Sequence, residues 1–233
     1  MIMQTSMMSQ LLSMPLFQGL TMDELMKLLE QVRPDFLHFE DAYIQRSGER
    51  HNRLLYILRG KVIRELPGPG ERYLFTEVLD ESTFIEISSL FGRNTTLRAS
   101  YRAVGEAVLL AFDKSYMFNV FGQFSIVQLN ILNLYCAYAQ SLIERQSLPI
   151  GDDIHTLFCH FVRSLCENPR GEKLLKMTRD DLALQLGCNR RRMSELIVSW
   201  QKAGLVNLSY SQIAIPDLKR LQNYRPLRDN TTI

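Results

Sequence analysis

Between Thr178 and Ala203 very few backbones suit the sequence: two short helices, each with its own cap, joined by a turn that glycine makes easily. Thr178 precedes Arg179-Asp180-Asp181, so its hydroxyl caps a helix whose first turn brings the Asp181 carboxylate near unpaired amides. Leu182, Ala183 and Leu186 recur at the spacing of one buried face. Gly187-Cys188-Asn189 supplies the turn, with glycine tolerating a left-handed backbone and Asn189 capping the next helix. That helix is predicted to bury Met193, Leu196, Ile197 and Trp200, and its opposite face begins Arg190, Arg191, Ser194, Glu195. Gly204 ends it, after which residues 205–208 and 212–215 flank Ser209-Tyr210-Ser211 as a two-stranded wing.

Charge sharpens this reading. From Pro169 to Arg228 there are twelve Lys or Arg against five Asp or Glu, a balance of +7, while the whole chain is only +2 and the remainder therefore −5. A basic end of this kind suits a polyanion, and cationic groups on the first turns of a helix suit the major groove of DNA. Arg190 is the first candidate for reading a guanine edge. Thr178, Arg179, Arg192 and Lys202 are candidates for phosphate contacts, and Asn189, Arg191, Ser194 and Glu195 complete the expected DNA-facing set.

Upstream, Thr21 and Glu24 can form a capping box for a helix over Met22–Gln31, with Leu25, Leu28, Leu29 and Val32 on one face. Residues 36–39, 43–46, 54–66, 73–79, 97–104 and 107–112 then read as short strands separated by Ser47-Gly48, Gly60, the 67–70 Pro-Gly repeat, Gly92 and Gly105. A small barrel or roll is the expected result. From Gln123 to Gln146 there is neither proline nor glycine, and Leu129, Leu132, Cys136, Ala139 and Ile143 follow the seam spacing of a coiled coil. Ile126, Ile131, Leu134, Tyr135, Tyr138 and Leu142 add a second apolar surface, so this helix is expected to pack on its own roll and on a second copy of the chain. Residues 147–151 interrupt the pattern as a hinge, and Asp152 or Asp153 caps the next helix, over 154–167.

Other classes find less support. The cysteines 136, 159, 166 and 188 form no CxxC pair, and the four histidines form no metal constellation. No catalytic triad, carboxylate pair or phosphate loop is present, so no enzyme and no catalytic, metal or cofactor residue is expected. No signal sequence and no membrane-spanning run are read, which places the chain in the cytoplasm, away from membranes. The competing reading is a ligand-binding or protein-interaction module whose winged helix contacts protein, a role that would not need the +7 balance.

The stretch 177–206, MTRDDLALQLGCNRRRMSELIVSWQKAGLV, resembles without a gap the helix-turn-helix of the cyclic-AMP receptor protein and fumarate-nitrate regulator (Crp/Fnr) superfamily. Leu55-Tyr56-Ile57-Leu58-Arg59-Gly60-Lys61-Val62, the Leu90-Phe91 region and the long helix extend the resemblance to about Met14 through Leu221. It implies an α+β fold in three parts. A double-stranded β-helix, the jelly-roll-like sensor roll, spans 1–122, a dimerisation helix 123–148 and a winged-helix DNA-binding domain 149–233. It also implies a homodimeric transcription regulator on double-stranded DNA, with RNA polymerase as a partner and a small-molecule effector that is unknown. By position Arg190 matches the guanine-reading arginine, whereas Arg191 stands where glutamate is common and Glu195 where a second base-reading arginine is common; an Arg–Glu pair with its members exchanged predicts a different operator. In the effector pocket the family's glycine-glutamate pair is replaced by Glu86-Ile87, followed by Ser88, and Arg98-Ala99 stands beyond the loop. The adenine-contacting hydroxyl pair falls at Leu142 and Ile143, so the resemblance predicts that cyclic AMP is not the effector.

Overall fold

The computed structural model describes residues 2–146, 153–168 and 170–224 and is mixed α and β, as the sequence predicts. The chain divides into two units, one holding the chain up to Val62 with Leu79–Glu144, the other Ile63–Val78 with the chain from Arg145. The hinge expected at 147–151 and the cap expected at Asp152 lie outside the described residues.

The first unit opens with α1 (Ile2–Ser13) and α2 (Met22–Gln31). The capping box forms as expected: Glu24 N–H donates to Thr21 Oγ1 at 3.3 Å and Thr21 N–H donates to the Glu24 carboxylate at 2.8 Å. Those bonds hold the Glu24 carboxyl below its ordinary pKa. Strands β1 (Asp35–Glu40), β2 (Tyr43–Gln45) and β3 (Arg53–Pro67) follow; β3 continues into the second unit and pairs there with β4 (Leu74–Leu79). The chain then returns as β5 (Ser100–Asp113), a single strand where the sequence suggests two. Gly105 does not break it. Tyr101 and Arg102 pair with β2 while Glu106 to Ala111 pair with β1, and Gly105, at φ 61, is the bulge where one long strand changes partner. Gly60 is likewise internal to β3, at φ 93, and a Cβ there would collide with the Glu106 carbonyl oxygen.

After α3 (Tyr116–Asn119), the helix α4 (Ser125–Gln146) completes this unit. Its core has Phe17, Phe112 and Phe121 in a triangle of edge-on contacts at 5.6–5.9 Å. Such pairs are each worth about 0.5–1.5 kcal/mol beyond area burial. Val127 is buried in this cluster, and Ile126, Ile131 and Leu134 pack against it. Asn130 Nδ2 donates to the carbonyls of Leu16 and Gln18 at 3.1 and 2.8 Å, and Tyr135 donates to the Ile87 carbonyl at 3.2 Å. On the other side Leu129, Leu132, Cys136, Ala139, Leu142 and Ile143 face outward, with Leu132 58% and Ile143 61% exposed. The expectation that nothing approaches a membrane-spanning run needs correction, because Ser125–Arg145 has both the length and the apolarity to cross a bilayer. Charged residues are missing from it until Glu144, which a scan for long aliphatic blocks does not register.

In the second unit α5 (Ile154–Leu165), β6 (Lys173–Lys176), α6 (Arg179–Gln185), α7 (Arg190–Lys202), β7 (Asn207–Ser209), β8 (Gln212–Ile215) and α8 (Leu218–Gln222) follow in order. The antiparallel order β4-β6-β8-β7 is set by Leu74 opposite Lys176, Lys173 opposite Ile215 and Asn207 opposite Ala214. Strand β6 is not foreseen from the sequence. Its four residues begin and end in lysine, and Lys173, counted above in the basic surface, is completely buried.

Lys173 belongs to an ionic cluster. Glu77 Oε1 accepts from Arg64 Nη1 at 2.9 Å and from the Glu167 amide at 2.7 Å, and Oε2 accepts from the Asn168 amide at 3.1 Å with Lys173 Nζ 3.7 Å away. Arg64 also donates to the Leu165 carbonyl at 3.0 Å and pairs with Glu167 at 3.4 Å. A carboxylate is retained inside a protein only with such a set of cations and amides around it.

Candidate nucleic-acid interface

The frame of the interface is local in origin. Thr178 Oγ1 accepts from the Asp181 amide at 3.1 Å and starts α6; Asn189 Oδ1 accepts from the Arg191 amide at 2.8 Å and starts α7. Gly187 takes φ 63 between them. Leu182, Ala183, Met193, Ile197 and Trp200 are buried, and Trp200 lies 4.7 Å from the Phe158 ring of α5. Leu186 and Leu196 are only half-buried. With the apolar side of α7 so fixed, the cations at its start have to face outward.

Arg190 Nε pairs with Asp180 Oδ1 at 2.7 Å, and its side chain remains 70% exposed. Arg191 Nε pairs with Glu195 Oε1 at 2.9 Å, one turn along, and is 88% exposed. The Arg–Glu pair anticipated from the exchanged positions therefore exists within one helix. Arg192 and Arg179 are exposed, as is Lys202, at the far end of α7, about 18 Å from Arg190 at 1.5 Å per residue. Ser194 is half-buried, and Asn189 is engaged as a cap. Thr178, Arg179, Asp180 and Arg190 line one cleft of about 370 Å³ together with Ser209, Tyr210 and Ser211 of the wing. The start of α7 and the wing tip thus share a side.

Two residues of this surface escape sequence reasoning. Asp180 reads as a helix-start carboxylate, yet it holds the Arg190 guanidinium from the neighbouring helix. Tyr210 is 94% exposed at the wing tip, and its signal is an aromatic between two serines in a tight turn.

The pocket residues meet in part. Glu86 is buried, at φ 37 and ψ 50, the left-handed conformation that the glycine expected there would take freely. Its carboxylate accepts from Ser89 Oγ at 2.6 Å, the Arg98 amide at 2.7 Å, the Ala99 amide at 3.4 Å and Tyr101 Oη at 2.8 Å. Arg98 therefore meets an anion, but through its main chain, and its side chain is exposed. Ile87 and Ser88 are half-buried in the adjoining turn, whereas Leu142 and Ile143 face outward on α4. His51 is fully buried; desolvation lowers its pKa more than the nearby Glu86 charge raises it.

Elsewhere, His155 stacks edge-on to Trp200 at 5.4 Å, and Cys159 Sγ lies 3.8 Å from its Nε2. Burial pushes the Cys159 and Cys166 thiols up to about 12, so neither is a reactive thiolate. Among the described residues no three of His, Cys, Asp and Glu gather around a metal position.

The double-capped helix pair with its wing and α5 packed beneath it form one winged-helix unit, and an antiparallel β roll precedes it in the chain. Residues 158–224 match the Crp-like helix-turn-helix domain, so the chain carries a member of that domain family. No curated protein matches the chain. Among solved structures, the sensor domain of the transcriptional regulator DNR from Pseudomonas aeruginosa is similar at 22% identity and a TM-score of 0.50, covering 66% of this chain and 100% of that one. The catabolite activator protein of Thermus thermophilus is similar at 19% identity and a TM-score of 0.46, over 89% of this chain and 96% of that one. FixK2 of Bradyrhizobium japonicum is similar at 13% identity and a TM-score of 0.45, over 82% and 96%.

Proposed function

We propose that the chain is a cytoplasmic, sequence-specific regulator of transcription that binds double-stranded DNA as a homodimer, works with RNA polymerase and does not respond to cyclic AMP. The observation that carries this reading is the start of α7. Three consecutive arginines, Arg190 to Arg192, are exposed there while Met193, Ile197 and Trp200 anchor the opposite side. Exposed surface ion pairs such as Arg190–Asp180 are worth no more than about 1 kcal/mol, so a guanine edge or phosphate can replace them.

Dimerisation is supported by α4. Its inner side is occupied by the roll, and its outer row of Leu129, Leu132, Cys136, Ala139 and Ile143 is the pattern that a second copy would complete. The reading on cyclic AMP rests on Glu86 and on aliphatic Leu142 and Ile143.

Fluorescence anisotropy against a library of palindromic and random duplexes tests the proposal. Salt-sensitive preference for particular duplexes is expected, unchanged by cyclic AMP. Equal, weak binding to all duplexes would overturn it in favour of a protein-contacting wing.

A further inference from the structure

The surroundings of Glu86 have the construction of a ligand site. Four donors converge on one carboxylate: the Ser89 and Tyr101 hydroxyls and the Arg98 and Ala99 amides. Ser89, Ala99 and Tyr101 are buried, so water does not serve these groups from bulk solvent. Backbone N–H groups donate and never accept, and three of the four partners lie 2.6–2.8 Å from the carboxylate oxygens. The backbone of Glu86 is held left-handed, an unfavourable state for a residue with a side chain, and one that persists only where the surroundings over-determine it. Strain at the main chain and convergence at the side chain point the same way: the carboxylate is delivered to a pre-set group of donors.

We propose that the roll contains an oxyanion-binding site, specific for a small carboxylate, that the chain fills with its own Glu86. The glutamate acts as a tethered ligand. While it is seated, a free anion has no access to these donors, so any effector of the roll is not held there by an anionic group. Removing the carboxylate would leave the four donors around a hole of carboxylate size, and a free formate or acetate ion would occupy it. The inference does not depend on DNA binding, because it is read on the isolated full-length protein.

The test substitutes Glu86→Gly, which removes the carboxylate and accepts the left-handed backbone. Melting is followed while sodium formate or acetate replaces sodium chloride at constant ionic strength. The variant is expected to melt below the unaltered protein and to regain stability along a saturating curve with either carboxylate, as a ligand that binds only the folded state requires. The unaltered protein is expected to show no such curve. A variant that melts lower with no response means that water fills the hole, and overturns the site; equal responses of the two proteins overturn it as well. Should Glu86→Gly not fold, hydrogen exchange on the unaltered protein decides. The Arg98 amide, in an exposed residue, is expected to exchange at least about a hundredfold more slowly than a free amide because Glu86 holds it. Fast exchange there overturns the proposal.

Discussion

Arg190 is restrained before any partner arrives. Its pair with Asp180 places the guanidinium beside the cleft shared with the wing, and docking exchanges this weak surface pair for a contact with DNA. Replacing Arg190 by alanine is expected to cost about 1–3 kcal/mol at one base position and little at others, measured with singly substituted duplexes. A uniform loss would make it a phosphate contact. Burial sets a second residue-scale expectation. His51 and His155 both have lowered pKa values, chiefly through desolvation, so below the ordinary value of 6.5 the unfolded chain takes up protons that the folded chain refuses. The stability gained by keeping these two rings neutral is therefore fully present above about pH 6.5 and is lost as pH drops through the interval beneath it. Calorimetry across that range should show the decline, and His51→Gln should make it shallower.

Among the elements, those whose cause lies within a few residues were legible in the sequence. The caps at Thr21, Thr178 and Asn189, the glycine turn at Gly187 and the Tyr210 hairpin are interactions between neighbours two to four positions apart. Thr178→Ala should accordingly lower stability by about 1 kcal/mol in urea titrations. Features with distant causes were not legible. Strand β6 exists because β4 and β8 flank it, and Lys173 is buried because Glu77, far away in sequence, meets it. Gly105 reads as a turn until β1 and β2 are both known to pair with β5. Glu86 reads as the loss of a pocket, since nothing local says that its carboxylate turns inward. For α4 the periodicity told the two sides apart but not which would stay open; Leu129→Glu with Leu132→Glu should halve the mass seen by sedimentation velocity while the roll remains folded.

For the whole molecule, the +7 balance of the C-terminal segment overstates the cationic surface, since Lys173 is sequestered by Glu77. The number of phosphates engaged is better read from salt dependence. Arg192→Ala and Lys202→Ala should each reduce the slope of log affinity against log salt by about 0.9 if each meets one phosphate.

The grouping of Ile63–Val78 with the C-terminal residues bears on how the molecule can be dissected. A shortened gene product beginning at Ile154 would retain the helix-turn-helix and wing but lack Arg64, Glu77 and all of β4. Lys173 would lose its carboxylate partner, and the backbone of β6 that pairs with β4 would lie bare along a sheet margin, inviting strand-to-strand self-association. A half-molecule made for DNA work would precipitate unless the 63–78 peptide were fused back to it.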